Sequence, residues 1–128
     1  MAYKNEAVFS KALCQALRKH NYFVQRIESG TTGKGIPDIY CISNKGKDIW
    51  LELKRVHKNC TNNTEIIPWR PGQQAWLNEA TRRGVACLTL ACFDNCILAI
   101  PHAIIYVRNT VDIRLCKRFK NINAIFNS

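Results

Sequence analysis

Two carboxylates and one lysine lie at the ends of two segments whose residue types predict neighbouring β-strands. Asp38 belongs to the segment Gly35–Ile42, and Glu52 and Lys54 belong to the segment Ile49–Lys54. Side chains alternate between the two faces of a strand, so we expect Glu52 and Lys54 on the same face. A second carboxylate from the adjacent strand would complete a site for a hard cation beside a positive charge. Hydrolysis of a phosphodiester needs such a site.

The predicted ligands are oxygen atoms, which Mg²⁺ prefers; it commonly takes one or two carboxylates together with water and substrate phosphate. Asp38 and Glu52 supply the carboxylates, and the backbone carbonyl of Leu53 is a candidate third ligand. Lys54 would orient the attacking water and stabilise negative charge on the phosphate. The alternative is an ordinary Glu–Lys pair on a solvated strand face, because Glu-x-Lys is common by itself. Asp38, one hairpin earlier, favours the metal site.

Charge and length indicate the kind of partner and the number of domains. The chain has 128 residues, with 19 Lys and Arg against 9 Asp and Glu, and a formal net charge of +10. Such a surplus attracts nucleic acid through phosphate contacts, although basic proteins with other functions are common. The length suits one domain. We therefore expect a single domain over residues 1–128, with a core at about 5–100 and a basic segment at 101–128.

The cysteines and the N-terminus predict the compartment. Seven cysteines occur without a Cys-x-x-Cys pair, and most lie within apolar segments. We interpret them as buried free thiols, which indicates a reducing compartment; a zinc site would need four ligands at recognisable spacing. Residues 1–6 contain no apolar signal core, and no apolar run approaches the about 20 residues that cross a bilayer. We expect a cytoplasmic protein that is neither secreted nor bound to membranes.

The pattern of apolar residues predicts a mixed sheet flanked by helices, in the order helix–strand–strand–strand–helix–strand. Helices are predicted over 5–20 and 73–83, with a possible short helix over 101–107. Strands are predicted over 22–28, 38–43, 48–54, 85–93 and 96–100. The segment 57–71 is expected to be irregular, and the pattern assigns no structure to the chain from Arg108 onward.

Gly35–Asp38 followed by Glu52–Lys54 resembles the motif of the PD-(D/E)xK nuclease superfamily. More narrowly, the chain resembles the virus-type replication-repair nuclease (VRR-NUC) domains over roughly residues 5–100, because Glu6 lies on the first helix and Pro71–Leu77 matches the family's helix-opening pattern. The resemblance implies a restriction-endonuclease-like fold, hydrolysis dependent on Mg²⁺ or Mn²⁺, and a homodimer that acts on branched DNA such as Holliday junctions, in phage-type replication or DNA repair. It also implies that Glu6 faces the metal and that Gln73 belongs to the catalytic site.

Further basic and aromatic residues are candidate contacts to DNA. Four of them surround the motif in the sequence: Lys34, Arg55, Lys58 and Arg70. Each has the alternative of an ordinary solvated surface charge. Trp50 and Trp69 could stack on bases, although packing is the better interpretation for Trp50.

The sequence therefore predicts a metal-dependent DNA endonuclease that is selective for DNA structure. Asp38, Glu52 and Lys54 form its centre, assisted by Glu6 and Gln73. Two other hypotheses stay open: a non-catalytic nucleic-acid-binding module, and a restriction-type nuclease that reads a specific sequence.

Overall fold

The computed structural model describes residues 3–27, 35–102 and 107–127. Its α-helices are α1 (Glu6–Lys19), α2 (Pro71–Arg82) and α3 (Ile122–Phe126). Its strands are β1 (Phe23–Arg26), β2 (Ile39–Ile42), β3 (Asp48–Arg55), β4 (Thr64–Ile66), β5 (Cys87–Cys92), β6 (Ile97–Pro101), β7 (Thr110–Asp112) and β8 (Lys117–Phe119). Two 3₁₀ turns, Val107–Asn109 and Ile113–Leu115, flank β7.

Six strands form one mixed sheet in the order β1-β2-β3-β5-β6-β8. The central neighbours β3 and β5 run parallel, and the other four neighbouring pairs are antiparallel. A parallel pair needs a crossover connection, and α2 lies within this one. A smaller sheet pairs β4 with β7. The mixed sheet with flanking helices confirms the predicted α/β class.

Helix α1 packs on one face of the sheet, which we call the α1 face. The Asn5 side chain accepts a hydrogen bond from the Val8 N–H at 2.9 Å and so caps the helix. The helix buries a stripe of residues at helical spacing: Phe9, Leu13, Cys14 and Leu17. They share a core with alternate residues of the strands, among them Ile39, Leu51, Leu53, Leu90 and Ala99.

The opposite face of the sheet packs against α2, and we call it the α2 face. Its apolar core contains Leu77 from α2, Ala91 from β5, and Leu98 and Ile100 from β6. Because side chains alternate along β3, residues between the buried leucines of the α1 face point to the α2 face. Glu52 and Lys54 are therefore on the α2 face, together, as predicted.

The structure differs from the prediction mainly at boundaries. Helix α2 begins at Pro71, two residues earlier than expected, because proline has no N–H to leave unpaired in the first turn. Strand β4 lies in the segment expected to be irregular, and the chain after Arg108 forms β7, β8 and α3. Most of the predicted helix over 101–107 lies outside the described residues.

All seven cysteines carry free thiols, and five of them are buried, as expected. Among the described residues, no helix combines the length and apolar character needed to cross a membrane.

Candidate metal and nuclease site

The ends of β2 and β3 bring Asp38 and Glu52 together. Ile39 pairs with Leu51 in the antiparallel register, so Asp38, one residue before β2, lies opposite Glu52. The Asp38 Oδ2 atom accepts a hydrogen bond from the Leu53 N–H at 2.9 Å. This bond holds the carboxylate at the strand edge. Leu53 also lines the same cleft as Asp38.

The start of α1 adds a third carboxylate. Asn5 caps the helix, and Glu6 occupies its first turn, where the helix dipole favours a negative charge. One ligand oxygen from each of Glu6, Asp38 and Glu52 lies within 4.8 Å of the others. Burial raises the pKa of Glu6, and the neighbouring Asp38 raises it further while Lys54 opposes the shift. The Glu6 carboxylate thus lies beside Asp38 and Glu52, although its side chain is exposed, and its predicted role toward a metal stays a prediction.

Glu52 is the buried member of the group, with 0% of its surface exposed. Burial raises the pKa of its carboxyl to about 8, and repulsion from Asp38 adds to the shift, against the attraction of Lys54. Its Oε1 atom is buried and makes no hydrogen bond within the described residues. A buried carboxylate oxygen without a partner is unfavourable. The Oε1 atom can therefore accept a further hydrogen bond or bind a cation.

Gln73 fixes the other oxygen of Glu52. The Oε1 atom of Gln73 accepts a hydrogen bond from the Arg70 N–H at 3.0 Å, so the amide nitrogen of the side chain is free to donate elsewhere. That Nε2 atom donates to Glu52 Oε2 at 3.1 Å. The glutamine thus links the first turn of α2 to β3 and contacts Glu52, while its role in catalysis stays a prediction.

A close approach of two glycines holds α2 against the segment that leads to Asp38. Gly35 has a φ of +85°, and a Cβ atom there would lie 2.0 Å from the carbonyl oxygen of Gly72. Only glycine fits this contact. Since Gln73 follows Gly72, the contact also sets the distance between Gln73 and the carboxylates.

Lys54 lies beside the carboxylates on the α2 face. Its Nζ atom is 3.6 Å from Glu52 Oε2, and its side chain is 7% exposed. The buried ammonium is close enough to Glu52 and Glu6 to oppose the rise in their pKa values, and it can act on an anion bound beside them.

The donor set fits a hard divalent cation. Its three members offer carboxylate oxygens, which suit Mg²⁺ or Mn²⁺ rather than a thiolate-binding metal. The unbonded Oε1 atom of Glu52 adds an independent observation, because a bound cation would satisfy it and favour the ionised carboxylate. Glu6, Asp38 and Glu52 together therefore form a candidate metal site.

The four basic residues predicted to contact DNA differ in their surroundings. Lys34 lies outside the described residues. Arg70 is exposed at the start of α2, next to Gln73. Lys58 is 45% exposed and pairs with Glu65 at 2.7 Å. Arg70 thus lies beside the carboxylates with its side chain open to solvent.

Arg55 requires a correction. Its guanidinium donates to the backbone carbonyls of Tyr3, Val56 and Cys92 at 2.6, 2.8 and 3.2 Å. It also pairs with Asp94 at 2.7 Å, and its side chain is 6% exposed. These bonds tie the end of β3 to the N-terminal segment and to the turn after β5. The predicted DNA contact gives way to a structural role, because the guanidinium is directed into the protein.

Trp69 is also structural. It is 4% exposed, and its Nε1 atom donates to the Thr89 hydroxyl at 3.0 Å. The hydroxyl is 2.8 Å from the Nε2 atom of His102. This buried chain of hydrogen bonds lies on the same face of the sheet as Glu52, since Thr89 is the register partner of Glu52. Base stacking by Trp69 is thereby excluded.

Two residues near the carboxylates were missed by the sequence analysis. Ser10 and Arg26 line a cleft of about 200 Å³ together with Glu6 and Asp38. Ser10 lies one helical turn after Glu6, a spacing that would have indicated its position. The sequence contains no comparable signal for Arg26, because only the pairing of Arg26 with Ile39 brings it next to Asp38.

The fold is similar to that of known structures. The fold matches that of Hjc, a Holliday junction resolvase from the archaeal hyperthermophile Archaeoglobus fulgidus, with a TM-score of 0.62 and 14% sequence identity. The match covers 85% of this chain and 89% of the resolvase chain. No protein-family profile and no curated protein sequence matches. At this identity the similarity demonstrates the shared fold alone, and it agrees with the fold class expected from the sequence.

Proposed function

We propose that this protein is a metal-dependent DNA endonuclease of the PD-(D/E)xK superfamily, of the VRR-NUC type. The observation that carries the proposal is the group of three carboxylates within 4.8 Å of one another, one of them with a buried unbonded oxygen. A buried lysine lies beside them, as the chemistry requires. The fold, shared with a Holliday junction resolvase, supports the superfamily resemblance.

Glu6, Asp38 and Glu52 hold the metal, which we propose to be Mg²⁺, with Mn²⁺ as a substitute. When bound, the ion polarises the scissile phosphate and lowers the pKa of a coordinated water. The Leu53 N–H keeps Asp38 in place, and Gln73 keeps Glu52 in place. The backbone carbonyl of Leu53 remains the proposed additional ligand.

Lys54 acts on the substrate. Its ammonium stabilises the negative charge that develops on the phosphate and orients the attacking water. Low exposure of the side chain strengthens this interaction, because less water screens the charge. The residue is held by its strand and by Glu52, so it is positioned before the substrate binds.

Binding to DNA rests on basic side chains that remain free near the site. Arg70 beside Gln73 and Arg26 at the cleft are exposed, whereas Lys58 is 45% exposed but paired with Glu65, so a contact to DNA would use only the open side of its ammonium. We propose that they contact phosphates, with Lys34 as a further contact. The net charge of +10 supplies the long-range attraction.

Branched DNA is the proposed substrate, with four-way junctions as the first to test. A four-way junction presents equivalent strands in pairs, so symmetric cleavage would require two sites. We therefore propose a homodimer in which each protomer cuts one strand.

The test compares a synthetic four-way junction with its linear duplex arms, in Mg²⁺, Mn²⁺ and EDTA. We expect cleavage of the junction with either metal, little cleavage of the duplex, and none in EDTA. Lys54→Ala should lower the cleavage rate by about 10²–10³-fold and leave affinity almost unchanged. The matched control is Lys19→Ala, at the opposite end of α1 from Glu6, which removes one charge without changing the site.

Three results would contradict the proposal in different ways. Binding without cleavage in any metal would support the non-catalytic module. Discrete fragments from linear duplex would support a sequence-specific nuclease. An equal loss of affinity and cleavage in Lys54→Ala would remove the chemical role of the lysine.

A further inference from the structure

An open apolar groove lies between α2 and the first half of β3, on the α2 face. Its volume is about 660 Å³, within the range of small-molecule sites. Its walls are formed by Trp50, Gly72, Ala75, Trp76, Ala80 and Val85. The rings of Trp50 and Trp76 lie 5.2 Å apart, and the ring of Tyr40 lies 4.7 Å from that of Trp50. We call this feature the aromatic groove.

The aromatic groove shares its supporting elements with the carboxylate site. Trp50 precedes Glu52 by two residues on β3 and points to the same face, so the two side chains are about 7 Å apart along the strand. Trp76 follows Gln73 by about one helical turn on α2. Gly72, which lines the groove, is adjacent to Gln73. A nucleotide next to a phosphate held by the carboxylate site would therefore reach the groove.

The rings are only partly buried, which is unusual for aromatic residues so close together. Tyr40, Trp50 and Trp76 are all half-buried in the described structure. Large aromatic surfaces exposed together mark interaction sites more often than isolated apolar residues do. Their flat surfaces suit a planar ligand, because aromatic rings stack on bases of any sequence.

The charged residues at the rim of the groove have a net positive charge. Glu79 pairs with Arg82 at 2.6 Å and with Arg83 at 2.7 Å, so this cluster has two cations for one carboxylate. Next to Trp50, Tyr40 donates its hydroxyl to Asp48 at 2.6 Å, and Lys47 precedes Asp48 in the chain. The rim is thus compatible with a phosphate backbone, whereas a purely apolar partner would leave these charges desolvated.

We propose that the aromatic groove binds an unpaired nucleobase of the nucleotide next to the scissile phosphate. The inference rests on the proposed nuclease function and adds a basis for substrate choice. A base within a duplex has both faces covered by its stacked neighbours and cannot enter the groove. An unpaired base at a gap or flap exposes a face at little energetic expense, and a base at the branch point of a four-way junction does so when its base pair opens. The groove therefore selects DNA with unpaired nucleotides beside the cleaved bond.

The test measures binding in EDTA, where no cleavage occurs, to branched DNA carrying 2-aminopurine at one unpaired position. An identical DNA with an abasic site at that position is the reference. We expect the wild type to bind the base-containing DNA about tenfold more tightly than the abasic DNA. The 2-aminopurine fluorescence should fall on binding, as it does when this base stacks.

Two substitutions of similar size separate stacking from packing. Trp76→Phe keeps an aromatic ring, and Trp76→Leu keeps an apolar side chain without one. We expect Trp76→Phe to retain most of the preference for the base and Trp76→Leu to lose it, while both bind the abasic DNA like the wild type. Phe126→Leu changes an aromatic residue of α3 that packs against the core of the α1 face, on the other side of the sheet, and should bind both DNAs like the wild type.

Several outcomes would overturn the inference. One is equal wild-type affinity for the two DNAs, a comparison that needs no variant to fold. Another is a variant Trp76→Leu that loses affinity equally for the base-containing DNA and the abasic DNA. A third is a change from dimer to monomer in that variant by sedimentation, which would assign the groove to a second copy of the chain. A wild type that prefers the base but never cuts in Mg²⁺ or Mn²⁺ would refute the nuclease proposal and leave the base-binding groove in place.

Discussion

Two buried glutamates in this protein have opposite surroundings. Glu65, on β4, is 4% exposed, and Glu52, on β3, is 0% exposed. Burial by itself would raise the pKa of Glu65, but the Lys58 ammonium and the N–H groups of Asn62 and Thr61 bind both oxygens and hold the pKa below its ordinary value. Burial raises the pKa of Glu52, whose Oε1 atom makes no bond in the described structure.

The difference separates a carboxylate whose charge is satisfied within the protein from the carboxylate that we propose as a metal ligand. The partners of Glu65 come from its own loop and satisfy its charge, so it holds the segment after β3 in place. Glu52 is surrounded by two other carboxylates and has an ammonium 3.6 Å away. An arrangement that is unfavourable without a ligand becomes favourable when a cation binds. Perturbed carboxylates of this kind are typical of functional sites.

Replacing the two glutamates should separate the two roles most clearly. Glu52→Gln should lower metal-dependent cleavage by at least about 10³-fold, because the amide cannot supply a charged ligand. Glu65→Gln should cleave at the wild-type rate at a temperature where it is folded. Rates measured on the same junction under single-turnover conditions check both. Cleavage at the wild-type rate by Glu52→Gln would remove its assignment as a ligand.

Gly35→Ala tests whether the glycine contact sets the geometry of the carboxylate site. The added Cβ would overlap the Gly72 carbonyl, so we expect a loss of at least about 3 kcal/mol in the free energy of unfolding. Gly84→Ala is the matched control, because Gly84 also has a positive φ, of +88°, but open space around its Cβ position. The Gly84→Ala variant should lose only about 1 kcal/mol in the free energy of unfolding. Equal losses in urea denaturation would show that the close approach does not matter.

Stability without metal should depend on pH through Glu52. Its pKa is raised from 4.5 to about 8 in the folded state, so its favourable contribution is complete below 4.5 and disappears as the pH rises through 8. We expect a loss of about 3 kcal/mol between pH 5 and 8 in EDTA, relative to Glu52→Gln. Parallel pH profiles of the two proteins would contradict the raised pKa. Added Mg²⁺ should stabilise the wild type at pH 8 and have less effect on Glu52→Gln.

Glu65→Gln should have the smallest of these effects, on stability alone. Loss of the charged hydrogen bonds is expected to cost about 2 kcal/mol, moderated by the partial exposure of Lys58. Glu79→Gln is the control, since Glu79 pairs with Arg82 and Arg83 at the surface, where solvent screens the charges, and its loss of stability should be the smaller of the two. Denaturation at pH 7 measures both. A larger loss in Glu79→Gln would contradict the structural importance assigned to Glu65.

Sequence patterns predicted the long helices and strands better than the short strands. The stripe from Phe9 to Leu17 and its Asn5 cap located α1 to within a residue at each end. By contrast, strands β4, β7 and β8 have three residues each, too few for a pattern to establish, and they form only because partner strands lie alongside. The two short strands β4 and β7 pair across a long stretch of sequence, which no local signal encodes.

The sequence could not show which basic residues near the motif are free to contact DNA. Arg55 and Arg70 have the same chemistry, and both were expected at the DNA. The fold directs Arg55 toward three carbonyls and Asp94 and leaves Arg70 in solvent. Arg26 was overlooked because strand pairing alone places it near Asp38. Which cation is free depends on distant partners, and a single sequence does not contain that information.

The sequence by itself determined the types of the reacting groups and the strand face that carries two of them, because the alternation of side chains is a local property of the backbone. Glu52 and Lys54 share a face for this reason alone. Only the tertiary structure decided that Glu6, from the first turn of α1, lies within 4.8 Å of Asp38 and Glu52. It also decided the burial that leaves one Glu52 oxygen unbonded, since burial and electrostatic repulsion depend on how separate elements pack together.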